Sequence, residues 1–406
     1  MGALQAAEMP IRGAIAMMRD EELIDRRAEE GTRVVALGLL SDADQAARAL
    51  ERQDDEEALH DFRVALRRLR SALRAFRPWL EGAVRRKHER RLRRLGRHTN
   101  AARDAEVQLA WLSTERETLA VGRCQAGFEL LTSRLGERRR QALGGHARLV
   151  ARYRKHSKRL RRRLRTYQVL LDGAERVPFS AVMGGLLSHQ LEVVRTRLSE
   201  VRGAADEQRI HRTRIEAKRL RYLLEVLRQS GQVDPRPAVK RLKRLQDLLG
   251  ELHDSHVLAT ELANALADVS ADRARRLLQD GPARQVLRDS PRTGLLAVQR
   301  RLTDRRDARY AALEQEWASG GVEQLAADVL ALVSTLQSRR SGHRQAAEPR
   351  PSAVGVRWTS VHGPSRRMSA PGGSTARNAP SASSTSAASF ASKVTRTRWS
   401  ASSKRG

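Results

Sequence analysis

The sequence predicts an all-α protein, a duplicated antiparallel helical bundle. From about Glu21 to Arg339, Leu, Ala, Arg and Glu dominate, and apolar residues recur three and four positions apart. That period is typical of helices with one buried face. Strand signals are sparse, since aromatic residues make up 3% of the chain and no Asn-Gly hairpin turn occurs. An internal repeat further predicts two equivalent helical halves.

The repeat consists of two motifs that each occur twice. LHDFRVALRRLRSALRAF at Leu59–Phe76 aligns with IHRTRIEAKRLRYLLEVL at Ile210–Leu227. Some thirty residues later, RRLRRLGRHTNAARDAEV aligns with KRLKRLQDLLGELHDSHV and places Asp104 on Asp254. Because the two motifs keep their mutual spacing to within one residue, they indicate a duplicated unit. We therefore predict two pseudo-symmetric helical-bundle halves, residues 20–172 and 178–338.

The composition changes after Ser341. Residues 341–406 are rich in Ser, Ala, Pro, Gly and Arg and have almost no apolar periodicity. They contain eleven Lys or Arg residues, and Glu348 is their one acidic residue. Such a segment cannot bury enough apolar surface to fold, so we predict a disordered basic tail.

The charge of the chain restricts its partners. A formal net charge of +31 disfavours neutral and cationic ligands and favours nucleic acid, an anionic membrane surface or another polyanion. Cys124 is the one cysteine, which excludes a disulfide framework or thiolate metal cluster and suits a reducing, cytoplasmic environment. The apolar runs are too short for a transmembrane segment, and the N-terminus lacks the pattern of a secretory signal.

The first repeated motif carries a basic stripe beside an apolar one. Phe62, Leu66, Leu69, Leu73 and Phe76 share one helix face, which we predict to be core. A second stripe with the same spacing is basic, and Arg68 and Arg219 adjoin it. The basic stripe comprises His60, Arg63, Arg67, Arg70 and Arg74 in the first copy and His211, Arg214, Lys218 and Arg221 in the second.

Like charges at this spacing destabilise an isolated helix by a few tenths of a kcal/mol per pair. Two such stripes therefore suggest that a bound anion offsets the repulsion. The cations recur about every 5 Å, which suits a linear polyanion such as polyphosphate or a nucleic-acid backbone. Glu225 interrupts the second stripe where Arg74 extends the first, so the copies are not equal. Further basic segments, densest at Arg159–Arg165, could close around the ligand.

These motifs resemble the CHAD family, the conserved-histidine α-helical domains. The runs at His60–Arg70 and Ile210–Glu225 are similar to its two signature helices, and Leu245–Val257 to a flanking motif. The resemblance covers roughly residues 20–338. It implies two four-helix bundles facing each other across a basic cavity that binds inorganic polyphosphate, and association with polyphosphate granules. The binding residues it implies are the two basic stripes, with Arg68, Arg74 and Arg219 as weaker candidates.

Other functions receive less support from the sequence. There is no Walker-type loop, GxSxG elbow or ExExK run, so we expect binding without catalysis. We expect no metal or other cofactor, because Arg103 replaces His253 in the first copy and cations surround His60 and His211. Asp104 and Asp254 are expected to position arginines. Sequence-independent nucleic-acid binding is the main alternative, although few aromatic residues are present to stack on bases. A structural role at a granule or membrane surface is the third.

Overall fold

The computed structural model describes residues 23–53, 56–80, 82–143, 146–166, 177–228, 233–280 and 291–347. Within these ranges the one β-type pairing is an isolated bridge between Arg27 and Pro178, and the all-α prediction is confirmed. The α-helices of the described residues are α1 (Ala28–Gln53), α2 (Glu56–Ala75), α3 (Arg86–His98), α4 (Asn100–Thr114), α5 (Arg116–Leu119), α6 (Gln125–Leu143), α7 (His146–Thr166), α8 (Phe179–Ser199), α9 (Glu207–Arg228), α10 (Arg236–Asp280), α11 (Arg292–Glu316) and α12 (Val322–Ala347).

The helices form two equivalent bundles. In the first, α1 packs against α2 and α7, and α3 packs against α2 and α7. In the second, α9 packs between α8 and α10, and α12 packs against α8 and α10. In chain order, α1, α2 and α7 correspond to α8, α9 and α12, while α3 with α4 corresponds to the long α10. The predicted duplicated antiparallel bundle is therefore confirmed.

The apolar stripes of the repeated helices form the centres of the bundles. Phe62, Leu69 and Leu73 of α2 are 0% exposed, as is Phe76 directly after the helix, and Leu66 is 2% exposed. Their counterparts on α9, namely Ala217, Leu220, Leu224 and Leu227, are 0% exposed. One continuous apolar core joins residues of both bundles. The core prediction for these helices is confirmed, and the basic stripes consequently lie off the core face.

A second apolar core lies where the two halves meet again, among α4, α6, α10 and α11. In the first half, the chain reaches this core through a helix break at Thr99, which lies between α3 and α4. The Thr99 hydroxyl donates a hydrogen bond to the Gly96 carbonyl. The second half enters it without a break, because α10 is continuous. At the crossing of α6 and α11, Gly127 and Gly294 allow backbones to touch, since a Cβ on either would overlap main-chain atoms of the other segment.

Backbone hydrogen bonds tie the starts of the two halves together. The Ala28 amide donates to the Val177 carbonyl at 2.9 Å, and the Phe179 amide donates to the Arg26 carbonyl at 2.7 Å. At the other end, α12 continues past Ser341 to Ala347, and the rest of the predicted tail, 348–406, lies outside the described residues. None of the helices in the described ranges has the length and hydropathy needed to cross a membrane.

Candidate polyanion-binding site

Two neighbouring helices carry the basic side chains that the sequence singles out. α2 packs against α9, so repeat-equivalent residues of the two copies meet. The charge of Arg67 acts on Arg214 and Lys218 of the other copy, and the charge of Arg219 acts on Arg70. We refer to the residues brought together in this way as the basic cluster, which comprises Arg63, Arg67, Arg70, Arg214 and Lys218.

Burial and mutual repulsion disfavour the charged forms within the basic cluster. Arg63 is only 8% exposed. Its burial, and after that the charges of Arg67 and Arg103, lower the pKa of the Arg63 guanidinium to about 10. Burial also lowers the pKa of Lys218 well below its ordinary value, and the charges of Arg214 and Arg67 add to the shift. For both residues, burial and nearby cations outweigh the carboxylates that act in the opposite direction, namely Asp104 and Glu106 on Arg63 and Asp254 on Lys218.

Few carboxylates of the protein neutralise the charge of the basic cluster. In the described part of the chain, no carboxylate forms an ion pair with any of its five members. In the same part, the Nε atoms of Arg67 and Arg214 are buried without a hydrogen-bond partner. Asp104 and Asp254 act on the cluster electrostatically, chiefly on Arg63 and Arg214, and burial raises the pKa of both carboxyls. The cluster therefore offers donors and positive charge to an external anion.

The two aligned histidines flank the basic cluster. Burial, followed by the charges of three nearby arginines, lowers the pKa of His60 to about 4. The ring of His211 lies against that of His253, with 4.5 Å between centroids, and burial lowers the pKa of His253 to about 3. At neutral pH His60 and His253 are therefore uncharged and can donate an N–H hydrogen bond without adding to the repulsion.

The remaining sequence-predicted residues differ in their partners. Arg68 and Arg221 share the carboxylate of Glu225, with Nε–O distances of 3.1 and 3.4 Å. Arg219 forms an ion pair with Glu216, one turn earlier on α9. Arg74 is exposed at the end of α2 and has no ion-pair partner among the described residues. Arg68, Arg219 and Arg221 thus have carboxylate partners, two of them sharing one carboxylate, whereas the residues of the basic cluster form no ion pair in the described part of the chain.

Arg103 joins the site although the sequence did not mark it as a binding residue. It extends from α4 and acts electrostatically on both His60 and Arg63. The alignment of the two copies could have identified Arg103, because it occupies in the first copy the position that His253 occupies in the second. The dense basic run on α7 has structural partners instead. Arg161 pairs with Asp44 at 2.6 Å, and Arg163 donates to the Ala83 carbonyl at 2.9 Å.

The fold and the site together define an all-α, internally duplicated domain with a polybasic cluster between equivalent helices. The family model described as CHAD domain matches residues 36–263, more than half of this chain, and the protein belongs to that family. The structure is similar to the crystal structure of the CHAD domain from the plant Ricinus communis. That match has a TM-score of 0.50 and 21% identity and covers 74% of this chain and 93% of the plant chain, which supports the fold alone. No curated protein matches the chain.

Proposed function

We propose that this protein binds inorganic polyphosphate along the facing basic stripes of α2 and α9. The observation that carries the proposal is the basic cluster, whose five cations from two helices lack ion-pair partners among the described residues. A linear polyanion would supply the missing negative charge and accept hydrogen bonds from the unpartnered Nε atoms of Arg67 and Arg214. Cations spaced about 5 Å apart along each helix suit a chain that carries charge at every phosphate.

Nucleic-acid binding receives less support from the same helices. Proteins that bind single strands usually stack bases on exposed aromatic rings. On α2, Phe62 is 0% exposed, and Tyr222 on α9 is 7% exposed. Phe76, directly after α2, is also 0% exposed. The two phenylalanine rings belong to the core and Tyr222 is buried, so these three rings give the basic cluster no exposed stacking surface.

The proposed activity is binding without catalysis. Neutral histidines and unpartnered guanidinium groups can hold phosphate oxygens, and the proposed site needs no metal or other cofactor for this. Association with polyphosphate granules in the cytoplasm is part of the same proposal, because a protein that binds the chain would accumulate where it is stored. Expressing a fluorescent fusion in cells with and without polyphosphate tests that part directly. Foci that persist in polyphosphate-free cells would contradict it.

Competition between polyanions tests the proposed ligand. The full chain is bound to fluorescently labelled long-chain polyphosphate, and unlabelled polyphosphate, single-stranded DNA or duplex DNA is added at equal phosphate concentration. We expect only unlabelled polyphosphate to displace the label efficiently, and the signal to fall with rising salt for all complexes. Equal displacement by DNA would make the stripes a general polyanion surface and favour nucleic-acid binding.

A matched pair of double variants tests the proposed site. Arg63→Gln with Arg214→Gln removes two cluster cations, and Arg48→Gln with Arg276→Gln removes two exposed cations elsewhere. Each charge-assisted contact contributes about 1.5 kcal/mol or more, so we expect the cluster variant to bind about 100-fold more weakly. The control should bind within about two-fold of wild type. Equal losses in both, with unchanged helical circular dichroism, would mean that net charge alone determines binding.

A further inference from the structure

The other side of the α2–α9 pair encloses a cavity of about 280 Å³, bounded also by α1 and α8. The α2 residues that line it include Arg68, Ser71, Ala72 and Ala75, which are spaced at one helix face. This face lies roughly 120° around the helix from the basic stripe that carries Arg63. The cavity and the basic cluster are therefore different sites on the same pair of helices.

The cavity exists because the two copies of the repeat place side chains of unequal size around it. Ser71 aligns with Tyr222, Ala72 with Leu223, and Ala75 with Val226, and all six line the cavity. The larger α9 side chains fill their side of the junction, while the smaller α2 side chains leave theirs open. A protein core is normally packed without voids of this size, so the space is a candidate for a ligand.

The charged groups of the cavity wall are almost balanced. Arg68 pairs with Glu225 and Arg219 with Glu216, and the Gln190 amide donates to Glu216 at 2.9 Å. Arg74 also lines the cavity, and it has no ion-pair partner among the described residues. The wall described by the structure therefore combines apolar surface with one arginine, Arg74, that forms no ion pair and is acted on by Glu216 only from a longer distance. Polyphosphate, which has no apolar part, could not use most of that surface.

We propose that this cavity binds a small amphipathic anion, with its apolar body against Ala72, Ala75 and Leu223 and its anionic group on the Arg74 guanidinium. Burying the apolar body removes it from water, and the guanidinium fork accommodates a carboxylate or phosphate oxygen pair. The site would take a monoanion of modest size, such as a medium-chain carboxylate. The site shares Arg74 with the α2 basic stripe but none of the five residues of the basic cluster, so it is separate from the cluster on which the proposed polyphosphate binding rests.

Isothermal titration calorimetry on the full chain tests this ligand class with three eight-carbon probes. Octanoate carries the predicted negative charge, octanol is neutral, and octylammonium carries the opposite charge. We expect saturable 1:1 binding of octanoate, weaker binding of octanol and no binding of octylammonium. Absence of octanoate binding, or equal affinity for octylammonium, would overturn the proposal.

Substitutions in the wall locate the bound probe. Ala75→Phe should fill the cavity and abolish octanoate binding, and Arg74→Gln should weaken binding about ten-fold. Arg48→Gln, an exposed control on α1, should leave the affinity unchanged. If Ala75→Phe loses helical circular dichroism, Ser71→Phe fills the same space from the previous turn. Octanoate binding that survives the filled cavity in a folded variant would refute the site.

A further pair of measurements separates this proposal from the proposed function. Octanoate binding should persist in the Arg63→Gln, Arg214→Gln double variant, and polyphosphate binding should persist in Ala75→Phe. Loss of octanoate binding in the double variant would place the anion in the basic cluster and overturn the separate site. That outcome would leave the polyphosphate proposal intact.

Discussion

Replacing Glu225 with glutamine tests whether this carboxylate takes the place of a phosphate between the two repeated helices. Glu225 lies 3.1 Å from Arg68 Nε and 3.4 Å from Arg221 Nε, and the three side chains are 15%, 21% and 20% exposed. An exposed ion pair contributes at most about 1 kcal/mol, and breaking a fully buried one costs about 3–5 kcal/mol. At this partial exposure, Glu225→Gln should lower the free energy of unfolding by about 2 kcal/mol.

The same substitution should strengthen polyphosphate binding. It releases two arginines and adds one unit of positive charge, so we expect about five-fold tighter binding, which corresponds to about 1 kcal/mol. The dependence of affinity on salt should also become steeper by roughly one phosphate contact. Urea unfolding followed by circular dichroism and a salt series of polyphosphate titrations measure the two effects. Glu117→Gln, at an exposed position on α5, makes the same charge change as a control.

If Glu225 takes the place of a phosphate, its removal should lower the free energy of unfolding and raise the affinity for polyphosphate. Weaker polyphosphate binding by Glu225→Gln would refute it, because the carboxylate would then be holding α2 and α9 in a binding-competent arrangement. Unchanged stability together with unchanged affinity would mean that the bridge between Arg68 and Arg221 has no energetic role.

Three further predictions test the electrostatics and the packing. Lys218→Met removes a buried ammonium group from beside three guanidinium groups. It should raise the free energy of unfolding by about 1 kcal/mol and weaken polyphosphate binding about ten-fold. Urea titrations that show no gain in the free energy of unfolding would contradict this. Burial lowers the pKa of His156 to about 4, so between pH 6.5 and 4 the unfolded chain binds a proton that the folded chain does not. Stability is therefore lost as pH falls, by about 2 kcal/mol at pH 5 from this group, and His156→Phe should show a smaller fall in Tm between pH 7 and 5 than wild type. Gly127→Ala should destabilise by about 2 kcal/mol because its Cβ overlaps the start of α11, whereas Gly136→Ala, with open space around it on the same helix, should stabilise slightly in thermal melts.

The helical fold was predictable because its determinants are local. The three-and-four spacing of apolar residues on α2 identified the core stripe, and the alignment of His60 with His211 identified the duplication. The shared core of α4, α6, α10 and α11 was not predictable in this way. Periodicity gives the buried face of a helix but not its partner, since the partner is fixed by contacts between distant parts of the chain. The close approach of Gly127 to α11 is one such contact.

The candidate site was predictable as a set of residues but not as a set of partners. The sequence placed Arg67 in the basic stripe and its neighbour Arg68 beside the stripe, as a weaker candidate. In the structure, Arg68 reaches Glu225 on the other copy, while Arg67 has no ion-pair partner among the described residues. Adjacent residues on a helix point about 100° apart, so neighbouring arginines enter different electrostatic environments. The sequence indicated that Glu225 interrupts the second stripe, and only the packing of α2 on α9 shows which arginine it neutralises.

The two sides of the α2–α9 pair depend on the duplication in different ways. On the basic side, Arg67 faces Arg214 and Lys218 of the second copy, so the two stripes repel each other and the proposed polyphosphate would neutralise both. On the cavity side, Ser71 aligns with Tyr222 and Arg74 with Glu225, so unequal residues leave space, and Glu225 pairs with Arg68 of the first copy. Loss of cations from either stripe should therefore weaken polyphosphate binding to a similar extent. Exchanging residues between the copies on the cavity side should change the cavity without moving the basic cluster.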